Sequence, residues 1–172
     1  MDILLIIIIT IFCNVFQKIA DALDEHGLKL FRHADVLFGV IWGILWALLT
    51  NVNSNVATYS VALIFYWLIK GKIDYVNHAI SIIIVFSSLF ILKTYPSGLF
   101  IFILLGYLVL DKISHSVKFL SKNNLKVFLK LLSPLVFSLY VQDFLPILIA
   151  FLSVLTVHIT KLVMYKYKVI DY

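Results

Sequence analysis

Long apolar runs separated by short polar breaks constrain this chain more than any other feature. The runs cover about 3–17, 36–50, 56–69, 79–92, 98–110, 127–141 and 145–164. Each run is apolar on every side, which favours helices over the alternating polarity of a membrane barrel. We therefore expect an all-α protein, a polytopic membrane bundle of about seven transmembrane helices that forms one domain over residues 1–172.

The composition indicates that lipid is the solvent for these runs. Of the 172 residues, 63% are hydrophobic and 13% are charged, whereas soluble domains average about 45–50% and about 25%. A soluble domain of this size leaves too much surface exposed to hide so much apolar area. The first run has no basic residue before it, and Lys18 follows it directly. We therefore expect a first transmembrane helix and no cleaved signal peptide.

Basic residues gather on one side of this predicted topology. Of the 14 Lys and Arg residues, only Lys93 falls on the opposite side. The positive-inside rule makes the basic side cytoplasmic, which predicts a multi-pass protein of the cell membrane with its N-terminus outside and its C-terminus in the cytoplasm. The thirteen are Lys18, Lys29, Arg32, Lys70, Lys72, Lys112, Lys118, Lys122, Lys126, Lys130, Lys161, Lys166 and Lys168. Topology explains the net charge of +5, so we expect membrane lipid and no nucleic acid as a partner.

Three polar segments recur on the predicted cytoplasmic side. They are Lys18–His26, Lys70–His78 and Asp111–His115. In two of them an Asp precedes a His by four residues, as Asp74/His78 and Asp111/His115, a spacing that puts both side chains on one helix face. The fifth span has to continue through Asp111 towards His115 to cross about 30 Å of hydrocarbon. The three segments therefore lie at one membrane face, where they could converge.

Carboxylates and imidazoles in such a cluster can bind a divalent metal such as Mg²⁺, Mn²⁺ or Zn²⁺. They can also act as general acid and base. The predicted metal ligands are Asp21, Asp24, Glu25, His26, Asp74, His78, Asp111 and His115, and the predicted catalytic residues are Asp21, Asp74, His78, Asp111 and His115. Nearby cations suit a phosphate group. The predicted substrate-binding residues are Lys18, Lys29, Arg32, Lys70, Lys72 and Lys112.

These features favour a membrane-embedded enzyme that acts at the cytoplasmic face on a phosphate-bearing lipid, isoprenoid lipids included, as a metal-dependent hydrolase or transferase. A small cation or proton transporter or channel is one alternative. A non-catalytic membrane assembly subunit is another. Each polar pair alone also has a simpler interpretation, in which Asp74 caps the helix that begins near Tyr75, Asp111 is a solvated helix end and His115 is an exposed loop residue.

Small and aromatic residues predict how the helices pack. Gly39 and Gly43 form a G-x-x-x-G on the second span, which permits close helix packing and allows a homo-oligomer through small-residue faces. Three tryptophans are expected to face lipid or to pack between helices, namely Trp42, Trp46 and Trp67. His158, with Lys161 one turn further on, could join the polar site from the last span. Cys13 is the single cysteine, which excludes an intrachain disulfide, and we expect it to be buried.

Overall fold

The structure, a computed structural model, describes residues 1–25, 28, 30–116 and 123–166, and the side chains of 114–116 and 123–130 lie outside that description. Within these ranges the chain is all-helical and has no strands. The described helices are α1 (Ile3–Glu25), α2 (Ala34–Thr50), α3 (Ser54–Ile69), α4 (Val76–Leu92), α5 (Phe100–Ser116), α6 (Asn123–Val141) and α7 (Leu145–Lys166). They number seven, as the apolar runs predict.

Two helices continue past their apolar runs into the polar segments. Helix α1 runs on to Glu25, because Ala and Leu are strong helix formers and Lys18 pairs with Asp21 one turn further along the helix. Helix α5 includes Asp111 and ends at Ser116, which confirms that the fifth helix extends through Asp111 towards His115. The polar side chains of both segments are therefore held on rigid helical backbone.

Successive helices run in opposite directions, and two groups of contacts define the two ends of the bundle. At one end, the last turns of α1 and the first turn of α4 meet through Asp21 and His78. At the other end, the Asp143 carboxylate accepts hydrogen bonds from Asn53 and Asn55, each at 3.0 Å. Between the ends, α2 packs against α1 and α4, α3 packs against α5, and α6 and α7 close the bundle against α5 and α1. The first of these ends carries the candidate site.

Helices α2 and α4 approach each other very closely along the glycine face. A Cβ atom on Gly39 would lie 2.9 Å from the Cα atom of Asn77, and one on Gly43 would lie 2.7 Å from the Cα atom of Ser81. Only glycine leaves room for the neighbouring backbone at these distances, so the expected close packing of the G-x-x-x-G face is confirmed. Its partner is α4 of the same chain. That face is therefore not free for a second copy, and a homo-oligomer stays a prediction for other surfaces.

By length and composition, two of the described helices can cross a membrane. These are α1 and α7, whereas Ala34–Thr50, Ser54–Ile69, Val76–Leu92 and Leu131–Val141 are apolar but shorter. The two longer helices pack against each other. The cysteine of α1, Cys13, is buried as expected.

Candidate metal centre

The centre of the candidate site is a contact between α1 and α4. Asp21 lies near the end of α1 and His78 near the start of α4, and their side chains are only 7% and 9% exposed. The Nε2 atom of His78 lies 3.1 Å from the Oδ1 atom of Asp21. The other carboxylate oxygen, Oδ2, pairs with the ammonium of Lys18. Asp21 therefore joins an imidazole to a cation in a largely buried setting, where charged hydrogen bonds are strong.

Glu25 completes a set of three groups that can bind a metal. It lies one turn after Asp21 on α1 and is exposed. Ligand atoms of Asp21, Glu25 and His78 all lie within 4.8 Å of one another. Metal bonds of about 2.0–2.2 Å allow two ligands of one ion to be at most about 4.4 Å apart. Small side-chain rotations are therefore enough to bring the three groups around one ion.

His78 presents its second ring nitrogen towards Asp74. The Nδ1 atom is buried and has no hydrogen-bond partner among the described residues. The nearest carboxylate to it is Asp74, whose Oδ1 atom lies 3.8 Å away and whose side chain is 58% exposed. This distance is too long for a hydrogen bond. The Nδ1 atom can therefore serve as a metal ligand or as a proton acceptor.

Aromatic rings surround the imidazole of His78. Trp42 from α2 meets it edge-on at 5.5 Å between ring centroids, while Trp67 from α3 and Tyr75 lie at 6.4 and 6.3 Å. Trp46 stacks on Trp42 at 5.7 Å. The expectation that the tryptophans pack between helices is confirmed, but the sequence did not predict that they enclose a histidine. The i, i+4 spacing of Trp42 and Trp46 on α2 was the sequence signal that could have indicated a shared aromatic face.

The third polar segment makes different contacts. The carboxylate of Asp111 pairs with Lys70 and accepts a hydrogen bond from the hydroxyl of Tyr66 at 3.3 Å. Asp111 does not belong to the group formed by Asp21, Glu25 and His78. The interpretation of Asp111 as a merely solvated helix end is wrong. Tyr66 on α3 and Lys70 at the C-terminal end of α3 hold its carboxylate in place.

The start of α4 also differs from the simpler interpretation of Asp74. The N-cap residue of α4 is Tyr75, and no side chain caps the helix through a hydrogen bond at that position. Asp74 is therefore not the cap. Instead, the carboxylate of Asp24 lies within hydrogen-bonding reach of the backbone N–H of Asn77. A carboxylate from α1 thus stabilises the positive end of α4.

The remaining predicted residues are divided between exposed and undescribed positions. Arg32, Lys72 and Lys112 are exposed. His26 and Lys29 lie outside the described residues, as do Lys118, Lys122 and Lys168. His115 belongs to the backbone of α5, so it is not a loop residue, and its side chain lies outside the description.

One cation near the site was not among the predicted substrate-binding residues. Lys161, in the last turns of α7, lies close enough to interact electrostatically with Lys18, Asp21, Glu25 and Lys72. His158, one turn earlier, is exposed. The available signal was the charge itself, since Lys161 is the first charged residue within the apolar run at 145–164. The site thus draws charged side chains from α1, α4 and α7 and from the α3–α4 connection.

Comparisons with known proteins give no further information about this site. No protein-family model, no curated protein and no solved structure matches the chain.

Proposed function

We propose that this chain is a membrane-embedded enzyme that uses a divalent metal to act on a phosphate-bearing lipid at the cytoplasmic face. The observation that carries the proposal is the group formed by Asp21, Glu25 and His78, whose ligand atoms lie within 4.8 Å of one another. The group lies at one end of a strongly apolar helical bundle. An enzyme for a lipid headgroup needs such an arrangement, because the headgroup stays at the interface while the lipid tail stays in the bilayer.

The membrane part of the proposal is that all seven helices span the bilayer, with the N-terminus outside and the C-terminus in the cytoplasm. Large apolar side chains on the outside of the bundle support it, because Phe90, Ile91 and Phe102 are 79%, 75% and 71% exposed. Lipid would cover such residues, whereas soluble proteins rarely expose so many together. The one-sided distribution of Lys and Arg supports the orientation. The proposed location is the cell membrane.

The ligand set suggests which metals fit. Two carboxylates and one imidazole suit Mn²⁺ or Zn²⁺, and Mg²⁺ fits if water and a substrate oxygen supply most of the remaining ligands. Such an ion supplies a Lewis acid for a phosphoryl oxygen and lowers the pKa of a bound water. A metal bound by Asp21 would compete with Lys18 for the carboxylate. Metal binding would therefore release the Lys18 ammonium from this pair and leave it available for a phosphate oxygen.

The protein's own residues would bind the phosphate and shield the site. Lys18, Lys72 and Lys161 lie around the carboxylates and can neutralise a phosphate group. Lys70 has a different role, because it pairs with Asp111. Trp42 and Trp67 fix the orientation of the His78 ring and limit the access of water to it. Excluding water strengthens each charge interaction in the site.

The test combines metal binding with turnover. The full chain is purified in detergent, titrated with Mn²⁺, and then incubated with vesicles that contain phosphatidic acid or a polyprenyl phosphate. We expect Mn²⁺ binding and Mn²⁺-dependent release or transfer of the headgroup, both lost in Asp21→Asn and His78→Gln. Asp2→Asn is the matched control, because Asp2 is exposed and belongs to the segment before α1. Activity that survives Asp21→Asn and His78→Gln would contradict the proposal.

One observation favours a cation or proton transporter as the second candidate. Three buried tyrosines lead from Asp111 into the bundle, since Tyr66 donates to Asp111, its ring lies 5.2 Å from that of Tyr107, and Tyr107 is within hydrogen-bonding reach of Tyr59. Buried polar side chains between membrane helices often mark ion pathways. Proton flux into proteoliposomes that is abolished by Tyr59→Phe and Tyr107→Phe would favour this candidate over the enzyme.

A further inference from the structure

A second group of polar side chains lies beside the candidate metal centre, and three of its atoms have no hydrogen-bond partner among the described residues. Asn77 on α4 is fully buried, yet neither its Oδ1 nor its Nδ2 atom has a hydrogen-bond partner among the described residues. The Oδ2 atom of Asp24 is also buried and likewise has no such partner. An unpaired buried polar group is costly and calls for an explanation. Two such groups in one place indicate that a ligand belongs between them.

The close approach of α2 and α4 brings a third residue to the same place. Gly39 lies against the backbone of Asn77, and a Cβ atom on Gly39 would be 3.0 Å from the Cβ atom of Asn77. Asp35 precedes Gly39 by four residues, which puts it on the same face of α2 one turn earlier. Asp24, from α1, is within reach of the backbone N–H of Asn77 and close enough to Asp35 for the two carboxylates to repel each other. Three helices therefore contribute to this group.

The charges of this group indicate a cation. Asp24 and Asp35 are only partly exposed, and no Lys or Arg of the described part of the chain forms an ion pair with either one. Two carboxylates in this setting repel each other unless a positive charge lies between them. The three oxygen groups, two carboxylates and one amide, are hard ligands that suit Mg²⁺ or Mn²⁺ better than Zn²⁺.

We propose that Asp24, Asp35 and the Oδ1 atom of Asn77 form a second divalent cation site next to the one formed by Asp21, Glu25 and His78. This inference rests on the proposed function and extends it from one metal to two. The last turns of α1 contribute to both sites, and Asn77 and His78 are neighbours on α4. Two ions about 3.5–4 Å apart clamp the attacking and leaving oxygens in many phosphate-processing enzymes. A phosphate monoester or diphosphate on the lipid is therefore the substrate chemistry that this centre fits.

The experiment counts metal ions on the full chain in detergent with Mn²⁺ as the probe. We expect about two equivalents of bound Mn²⁺ in the unmodified protein, with an electron paramagnetic resonance spectrum of two coupled ions. Asp35→Asn should bind one equivalent, with the spectrum of an isolated ion. The double variant Asp35→Asn/Asn77→Asp should regain the second equivalent, because it restores a carboxylate at the same site. Asp2→Asn, the matched control, should bind both ions.

The possible outcomes separate this inference from the proposed function. A single equivalent of Mn²⁺ in the unmodified protein that Asp35→Asn leaves bound would overturn the second site and leave the one-metal enzyme intact. Loss of coupling in Asp35→Asn together with its return in the double variant would support the second site. Absence of any bound Mn²⁺ in the unmodified protein would overturn both proposals. If Asp35→Asn unfolds, recovery of the second equivalent in the double variant still tests the site.

Discussion

The pairs Asp74/His78 and Asp111/His115 have the same spacing, but the described parts of the two pairs are in different environments. In the first pair the histidine is buried and contacts Asp21 of another helix, while Asp74 remains 58% exposed. In the second pair the aspartate is the residue that another segment holds, through Lys70 and Tyr66. The same local pattern therefore has one role at the start of α4 and another near the end of α5.

The position of each pair relative to the neighbouring helix explains the difference. His78 follows the N-cap of α4 by three residues. The glycine face of α2 allows this turn of α4 to pack closely against α1 and α2. Asp111 lies near the end of α5, next to the end of α3, where Lys70 is available. Spacing along the chain decides which side chains share a face. Contacts between helices decide which of them become part of a site.

The largest loss of Mn²⁺ affinity is expected from changing His78, because the two pairs differ most in the contacts of this residue. His78→Ala should lower the affinity for Mn²⁺ by more than about 100-fold, because changing a residue that only supports a ligand already costs about 10–100-fold. Asp111→Asn should lower this affinity by less than about 10-fold, since Asp111 contacts none of the three proposed ligands directly. Isothermal titration with Mn²⁺ measures both variants. Equal losses in the two variants would show that the third segment belongs to the metal centre after all.

A smaller effect is expected from changing the packing that buries His78. Gly43→Ala places a methyl group 2.7 Å from the Cα atom of Ser81, so α2 and α4 have to separate. Such overpacking should lower the free energy of unfolding by about 1–3 kcal/mol. Gly98→Ala is the matched control, because nothing lies within 4 Å of the new methyl group. Chemical denaturation in detergent followed by circular dichroism gives both values.

Only Gly43→Ala should also weaken Mn²⁺ binding, because the separation of α2 and α4 moves His78 but not Asp111. If Gly43→Ala and Gly98→Ala bind Mn²⁺ equally well, the close approach of α2 and α4 does not position His78.

The ion pair between Lys70 and Asp111 should contribute still less to the free energy of unfolding. Lys70 and Asp111 are partly exposed, with side chains 35% and 19% accessible, and such ion pairs contribute about 0.2–1 kcal/mol. A double-mutant cycle with Lys70→Met and Asp111→Asn, read out by denaturation, should give a coupling energy in that range. No coupling at all would mean that the tyrosine contact alone holds Asp111.

Asp74→Asn should have the smallest effect. The Asp74 side chain is 58% exposed, and interactions between exposed charges contribute about 0.2–1 kcal/mol, so Asp74→Asn should reduce Mn²⁺ affinity by at most about fivefold. The same titration measures this change beside His78→Ala. A loss as large as that of His78→Ala would identify Asp74 as a ligand and would make the two pairs alike.

The amino-acid sequence by itself determined the helices and predicted the end of the bundle at which the candidate site lies. Apolar runs, charge sidedness and helix-forming residues are local properties, so they predict the seven helices and the extension of α5 through Asp111. The G-x-x-x-G motif also predicts close packing from local composition. These features could be predicted because each depends on residues within a few turns of one another.

Only the tertiary structure decided which side chains meet. His78 makes its hydrogen bond with Asp21, which is 57 residues away along the chain, whereas Asp74 precedes α4 and lies 3.8 Å from the other ring nitrogen of His78. The glycine face of α2 packs against α4, and Trp42 and Trp67 pack around His78. Lys161 lies near Lys18, although the two residues are far apart along the chain. Burial and charge pairing between helices depend on how the helices are placed against one another, and no local pattern carries that information.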